Sequence, residues 1–170
     1  MIRKLALAAL AAGLLSSPAL AADKLKVEIS KGCSFEIALR PDLAAKHVAQ
    51  ITKLAKEGFY NGIIFHRVIE GFMAQTGDPT GTGMGGSKLP DIKAEFSKEP
   101  FKRGAVGMAR SSDPDSANSQ FFIMFAPGDF LNGQYTVWGQ VDDKGMECVD
   151  KIERGEPPAN PDKMIKVSVE

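Results

Sequence analysis

The sequence predicts a mainly β domain, an antiparallel barrel or sandwich with two helices packed outside it. Three observations carry this expectation. About eight short segments show strand patterning, and only two show helical spacing. The connections between successive strands are mostly too short for a parallel crossover, which takes a dozen or more residues. The chain has 170 residues, of which 44% are apolar and 25% charged; that fills one core and is too little for two. Its 21 Lys and Arg balance 21 Asp and Glu, which argues against a nucleic-acid binder working through a basic surface. Two cysteines cannot build a dense disulfide scaffold or a zinc site of four thiolates.

Residues 1–21 stand apart from this domain. Arg3 and Lys4 precede an apolar run over 5–15, and Ser16, Ser17 and Pro18 lead into Ala19-Leu20-Ala21. This is the pattern of a cleaved secretory signal peptide. A run of about 11 apolar residues is too short for a membrane span of about 20. The expectation is a signal peptide over 1–21 and a single domain over 22–170. Cleavage removes Arg3 and Lys4 and leaves 149 residues with a net charge of −2. The short leader and the absence of an Asn-x-Ser/Thr sequon suit a bacterial periplasm, with no membrane association after cleavage.

Each element of the domain has a local cause. Over 24–30, Leu25, Val27 and Ile29 alternate with polar residues, which predicts a half-buried strand. Lys31-Gly32 supplies a turn and alternation resumes over 34–40, so the two read as a hairpin. Pro41 opens a helix with Asp42 at its positive end. Val48, Ile51, Leu54 and Ala55 share one face of it, and Gly58 ends it behind Lys53 and Lys56. Residues 62–75 predict two strands around Glu70-Gly71, followed by a glycine-rich loop over 77–90. Strands are expected over 104–109 and 120–125, with a polar loop over 111–119 between them. Asn132-Gly133 marks a turn. A strand over 135–141, a short helix over 146–154 and a last strand over 163–169 complete the chain, the last two separated by Pro157, Pro158 and Pro161. Cys33 alternates with core positions Phe35, Ile37 and Leu39, and Cys148 lies beside Val149 and Ile152. Both fit inside, and the sequence leaves open a Cys33–Cys148 disulfide or two inert buried thiols.

Several familiar patterns fail on context. Gly81-Thr82-Gly83-Met84-Gly85-Gly86 matches the dinucleotide fingerprint in letters, but no strand precedes it and Leu89-Pro90 follows instead of a helix. His47 and His66 are the only histidines and the cysteines lie far apart in sequence, so neither a metal site nor a cofactor is expected. Ser111, Asp113 and His66 lack a nucleophile elbow. His66 reads instead as a hydrogen-bonded residue of the fold, and 111–114 as a turn. Asp113, Asp115, Asp142 and Asp143 do not follow calcium-loop spacing.

One segment is unusual. Over 64–78, Arg67 sits among Phe65, Val68, Ile69, Phe72 and Met73. Its guanidinium has to reach a polar partner or a cleft edge; alone, that reads as a rim salt bridge. Two more blocks follow: Ser-Gln-Phe-Phe-Ile over 119–123 and Phe-Leu-Asn-Gly-Gln-Tyr-Thr-Val-Trp-Gly over 130–139. Together the three blocks resemble the cyclophilins, which are peptidyl-prolyl cis-trans isomerases, over about 26–170. The resemblance implies a closed eight-stranded antiparallel barrel capped by two α-helices, with the active site in an outer groove. It implies Arg67 as the catalytic arginine, and Gln75 as the amide that positions substrate and Arg67. Phe72, Met73, Phe122 and Leu131 would wall a proline pocket. Ala109 and Arg110 would form the strand edge that pairs with the substrate backbone, and Gln120 would border the groove. Phe130 stands where eukaryotic members carry Trp, and Tyr135 where they carry His; both resemble bacterial members. Tyr135 would extend the apolar wall. Phe130 lacks an indole N–H, so weak cyclosporin binding is implied. Trp138 reads as core.

These residue types suit the chemistry. Rotation about an X–Pro bond meets a barrier of about 18–20 kcal/mol. At the twisted transition state the proline nitrogen gains a lone pair, and a donor aimed there binds that state better than the planar one. Arginine is always charged and offers five donors in a fixed fork. No nucleophile, metal or cofactor is required. The expected substrates are proline-containing exported or unfolded polypeptides, handled by a monomer. Two other readings stand beside this one: a holdase that uses the same groove without turnover, and a lipocalin-like barrel with an interior ligand. The second fits poorly, because small barrels are filled by side chains.

Overall fold

A computed structural model describes residues 24–170; the signal peptide expected over 1–21 lies outside the described residues. The opening alternation becomes a hairpin. Strand β1 (Lys24–Ile29) pairs antiparallel with β2 (Cys33–Leu39), Val27 facing Phe35. The other strands are β3 (Arg67–Ile69), β4 (Met73–Thr76), β5 (Ala105–Met108), β6 (Phe121–Met124), β7 (Val137–Gln140) and β8 (Met164–Val169). They form one antiparallel sheet in the order β3-β4-β6-β5-β7-β2-β1-β8, curled into a half-barrel.

The closure that the resemblance implies is incomplete. No ladder joins β3 to β8 among the described residues; isolated bridges Ile64↔Lys163 and Val68↔Gly155 span the gap. The reason lies in the segment facing β3. Pro157, Pro158 and Pro161 lack the N–H that a ladder needs. The strand expected at the start of 62–75 is correspondingly reduced to the three residues of β3.

The two helices also differ in detail from their sequence patterns. Helix α1 (Pro41–Lys56) buries the expected Val48, Ile51, Leu54 and Ala55, but it breaks at Ala44 (φ −149°, ψ 67°). Beyond the break, the Glu95 carboxylate accepts from the backbone N–H groups of Lys46 (3.1 Å) and His47 (3.0 Å) and binds His47 Nδ1 at 2.6 Å. Burial keeps the His47 pKa below its usual value although Glu95 pulls it up. Helix α2 (Asp143–Val149) starts earlier than the expected 146–154 and stops sooner. Asp142 caps it by accepting from Gly145 N at 2.7 Å. Past its end, Arg154 Nη1 takes the carbonyls of Asp150 and Ile152, which holds the chain in a turn. Helix α1 packs on β7 and β8, and α2 on β2. Cys33 of β2 and Cys148 of α2 are joined in a disulfide with a Cα–Cα distance of 5.9 Å, which resolves the alternative that the sequence left open.

Both faces of the central strands are covered, so their alternation is masked. Phe121 and Ile123 of β6, Val106 of β5 and Trp138 of β7 point into the half-barrel with Leu25, Ile37 and Met164. Their neighbours Phe122, Met124, Ala105 and Val137 point outward, where Met73, Phe101 and Leu131 complete a second, smaller cluster. Aromatic and aliphatic side chains thus fill the interior, Trp138 fully buried among them, and the lipocalin-like reading has no lumen to use. The outer cluster is the floor of the site.

Candidate active site

Cross-strand register builds the site. Arg67 of β3 faces Gln75 of β4, Gln75 faces Phe122 of β6, and Phe122 faces Gly107 of β5. Residues directly opposite share a face, so one row crosses four strands on the outer surface. Gly107 is needed for close approach: a Cβ there would lie 2.5 Å from both the Phe101 and Phe122 rings. Its absence lets Phe122 stack on Phe101 (centroids 5.7 Å apart) and meet Tyr135 edge-on at 6.0 Å.

Beside this row lies a cavity of about 130 Å³, lined by Arg67, Phe72, Met73, Gln75, Ala109, Arg110, Phe122, Leu131 and Tyr135. Nine of the eleven residues named for the site therefore meet in one place. Gln120 and Phe130 do not line it. Phe130 lies on the 3-10 turn Asp129–Leu131, is 70% exposed and leans on Phe72 (centroids 5.4 Å apart). Gln120 borders a second, larger groove of about 480 Å³, with Gln75, Met84, Ala109, Arg110 and Ser111. Ala109 and Arg110 follow the end of β5 rather than lying in it. Ala109 N donates to Gln120 O at 3.0 Å. The Arg110 guanidinium covers the Tyr135 ring at 4.4 Å and donates to Gln134 O at 2.6 Å, forming the ridge between cavity and groove.

A chain of polar contacts fixes the guanidinium. Arg67 Nη1 donates to Gln75 Oε1 at 3.5 Å, and Gln75 Nε2 donates to Gln120 Oε1 at 3.0 Å. Gln120 Nε2 donates to the carbonyls of Gly83 (3.0 Å) and Gly85 (2.8 Å). These carbonyls belong to the glycine-rich loop, which is wrapped around buried Asp78. Its Oδ1 accepts from Thr80 N and Thr80 Oγ1, both at 2.7 Å, and its Oδ2 from Gly83 N (2.6 Å) and Gly85 N (3.1 Å). Burial alone would raise the Asp78 pKa, but the bonds from Thr80, Gly85 and Gly83 hold it down at about 2. Gly85 is required there, since a Cβ would fall 2.1 Å from Asp78 Oδ1. The loop that imitates a dinucleotide fingerprint thus binds its own carboxylate.

On the other side, Arg67 Nε donates to Glu156 Oε1 at 3.0 Å. Asp78 and Glu156 escaped the sequence reading. The Asp78-x-Thr80 spacing was a usable signal for an Asx turn; nothing local marks Glu156. The expectation for His66 needs correction: it is buried, yet neither ring nitrogen has a hydrogen-bond partner among the described residues. Burial lowers its pKa and Arg67 lowers it further, against the opposing pull of Asp78; His66 is a packing residue of the fold. Among the described residues no three His, Cys, Asp or Glu side chains gather where they could hold a metal ion.

An apolar outer pocket beside a tethered arginine, on a half-barrel with two helices, defines a class, and comparison with known proteins defines the same one. Residues 24–169 match the family model described as cyclophilin type peptidyl-prolyl cis-trans isomerase/CLD. A probable peptidyl-prolyl cis-trans isomerase of Brucella suis is 61% identical over 148 residues, covering 78% of this chain and 75% of its own. The peptidyl-prolyl cis-trans isomerase B of Bacillus subtilis is 42% identical over 130 residues, covering 75% and 89%. Among solved structures, a cyclophilin from Hirschia baltica superposes with a TM-score of 0.77 at 30% identity, covering 85% of this chain and 72% of that one. A Cryptosporidium parvum cyclophilin type isomerase, crystallised in the presence of the dipeptide Ala-Pro, superposes with a TM-score of 0.78 at 26% identity, covering 86% and 98%. The chain belongs to the cyclophilin-type peptidyl-prolyl cis-trans isomerases and is an isomerase of that class.

Proposed function

We propose that the protein isomerises X–Pro bonds in exported or unfolded polypeptides, and that Arg67 stabilises the twisted amide while the neighbouring pocket holds the proline ring. The observation that carries this is the placement of the Arg67 guanidinium at the wall of a small cavity otherwise walled mainly by Phe72, Met73, Phe122, Leu131 and Tyr135. The cavity is far smaller than a pocket for a drug-sized ligand and suits a single ring. Its apolar floor strengthens any hydrogen bond that Arg67 makes there. Glu156 and Gln75 each take one N–H of the guanidinium, which leaves donors free for a substrate carbonyl and for the lone pair that develops on the proline nitrogen.

Supporting the substrate class, the Cryptosporidium relative was crystallised with a proline dipeptide. The leader over 1–21 and the two cysteines support action in the periplasm. Phe130, exposed and without an indole donor, supports weak cyclosporin binding. The test is Arg67→Ala in a protease-free isomerisation assay on a proline tetrapeptide. Turnover is expected to fall by orders of magnitude while circular dichroism is unchanged; wild-type turnover would remove Arg67 from the mechanism. If Arg67→Ala still suppressed client aggregation, and Phe122→Ala did not, the groove would also work as a holdase.

A further inference from the structure

We infer that Glu156 is a positioning residue for the isomerisation, acting through Arg67; this rests on the role proposed for Arg67 above. The pairing is built into the fold. Val68 and Gly155 form an isolated antiparallel bridge, each donating its N–H to the other's carbonyl at 2.8 Å. Antiparallel register then sets the preceding residue of one segment opposite the following residue of the other. Arg67 and Glu156 are therefore direct cross-strand neighbours, joined Nε to Oε1 at 3.0 Å. A second ion pair of reversed polarity, Arg154 Nε to Glu70 Oε2 at 2.5 Å, lies on the other side of the bridge. Both pairs are in register with the backbone bridge, and a slip would break both.

The placement matters more than the strength. Both partners are about half exposed, and an exposed ion pair is worth little for stability. Orientation is another matter, since small displacements of a reacting group cost rate steeply. A guanidinium is a planar fork. Glu156 holds it at Nε at 3.0 Å while Gln75 makes only a long 3.5 Å contact at Nη1, so the Glu156 contact does most to set the plane, with Gln75 limiting rotation about it. Glu156 does not line the cavity, so it stands behind the arginine and leaves the pocket to substrate.

The experiment compares Glu156→Ala and Glu156→Gln with wild type for kcat and KM, thermal midpoint, and the Nε–H resonance of Arg67 by NMR. Glu156→Ala should lower kcat about two- to fivefold with KM and melting unchanged, and should shift the Arg67 Nε–H resonance. Glu156→Gln keeps an acceptor oxygen and should recover most of both. Unchanged kcat in Glu156→Ala overturns the inference, as does a loss that comes only with a lowered melting temperature. Failure of the Arg67 reading is separately visible: Arg67→Ala would then turn over like wild type, whatever Glu156→Ala does.

Discussion

Replacing Asp78 by Asn is a near-isosteric change at the base of the glycine-rich loop, and the structure sets its cost. Asp78 is 1% exposed and accepts four hydrogen bonds, two at each oxygen. An amide presents one oxygen and one NH₂. The cheaper orientation places NH₂ at the Oδ1 side, where the Thr80 hydroxyl can turn to accept it but the Thr80 N–H loses its partner. A buried donor left unsatisfied costs about 1–3 kcal/mol. The charge adds a pH-dependent part. The Asp78 pKa falls from an ordinary 3.8 to about 2, and 1.36 kcal/mol per unit makes this about 2 kcal/mol of stability. A depressed carboxylate pKa stabilises fully above its unfolded value, and the contribution is lost as pH falls through the folded value. By that relation about half should be gone at pH 3. Urea unfolding of wild type and Asp78→Asn at pH 7 and pH 3 measures it: the gap between them should be a few kcal/mol at pH 7 and smaller at pH 3. Because Gly83 and Gly85 hold Gln120, which holds Gln75, the variant should also lose isomerase activity several-fold at pH 7. A gap that does not change with pH, or a variant as stable as wild type, would refute the account of Asp78 as a charged anchor.

Two further outcomes are expected. Glu95→Ala removes the carboxylate that caps α1 beyond its break and binds His47. It should cost about 2 kcal/mol and lower the thermal midpoint by about 4–8 °C; an unshifted calorimetric scan would show that the cap is idle. The Cys33–Cys148 bridge closes a sequence separation of 115 residues, for which the chain-entropy relation gives roughly 4–5 kcal/mol. The urea midpoint should fall when the bridge is reduced or when both cysteines are changed to Ser, and superimposable unfolding curves would contradict this.

The strands were legible wherever one face meets solvent. Leu25, Val27 and Ile29 alternate with exposed or half-buried neighbours, and their hairpin followed from that alone. The central strands carry both a core and an outer cluster, so their continuous apolar runs signal burial without saying what lies on each side. The site residues were legible as a resemblance, since Arg67 and Gln75 sit in one block and Phe122 in another, and only register brings the three into one row. What escaped was long-range. Glu95 reaches α1 from 48 positions away and Glu156 reaches Arg67 from 89, distances at which no periodicity operates. The early start of α2 was in principle readable, because Asp142 has the chemistry of a helix cap. The open side of the barrel has a local signal in the prolines after Gly155, which lack the donors that a ladder needs.

That open side has a bearing on how the molecule coexists with the chains it acts upon. An exposed strand border is a template onto which any extended polypeptide can add, and an enzyme whose business is polypeptide would be at particular hazard of polymerising with it. The border at β3 is covered by a segment that makes two-way backbone contact at Gly155, carries prolines unable to extend the ladder, and is flanked by ion pairs of opposite sense. At the start of β8, Gly62 N donates to Met164 O and Met164 N to Ile63 O, so residues 62–63 cover the first residue of that border. The chain itself thereby occupies part of each border, at positions that an added strand would have to take.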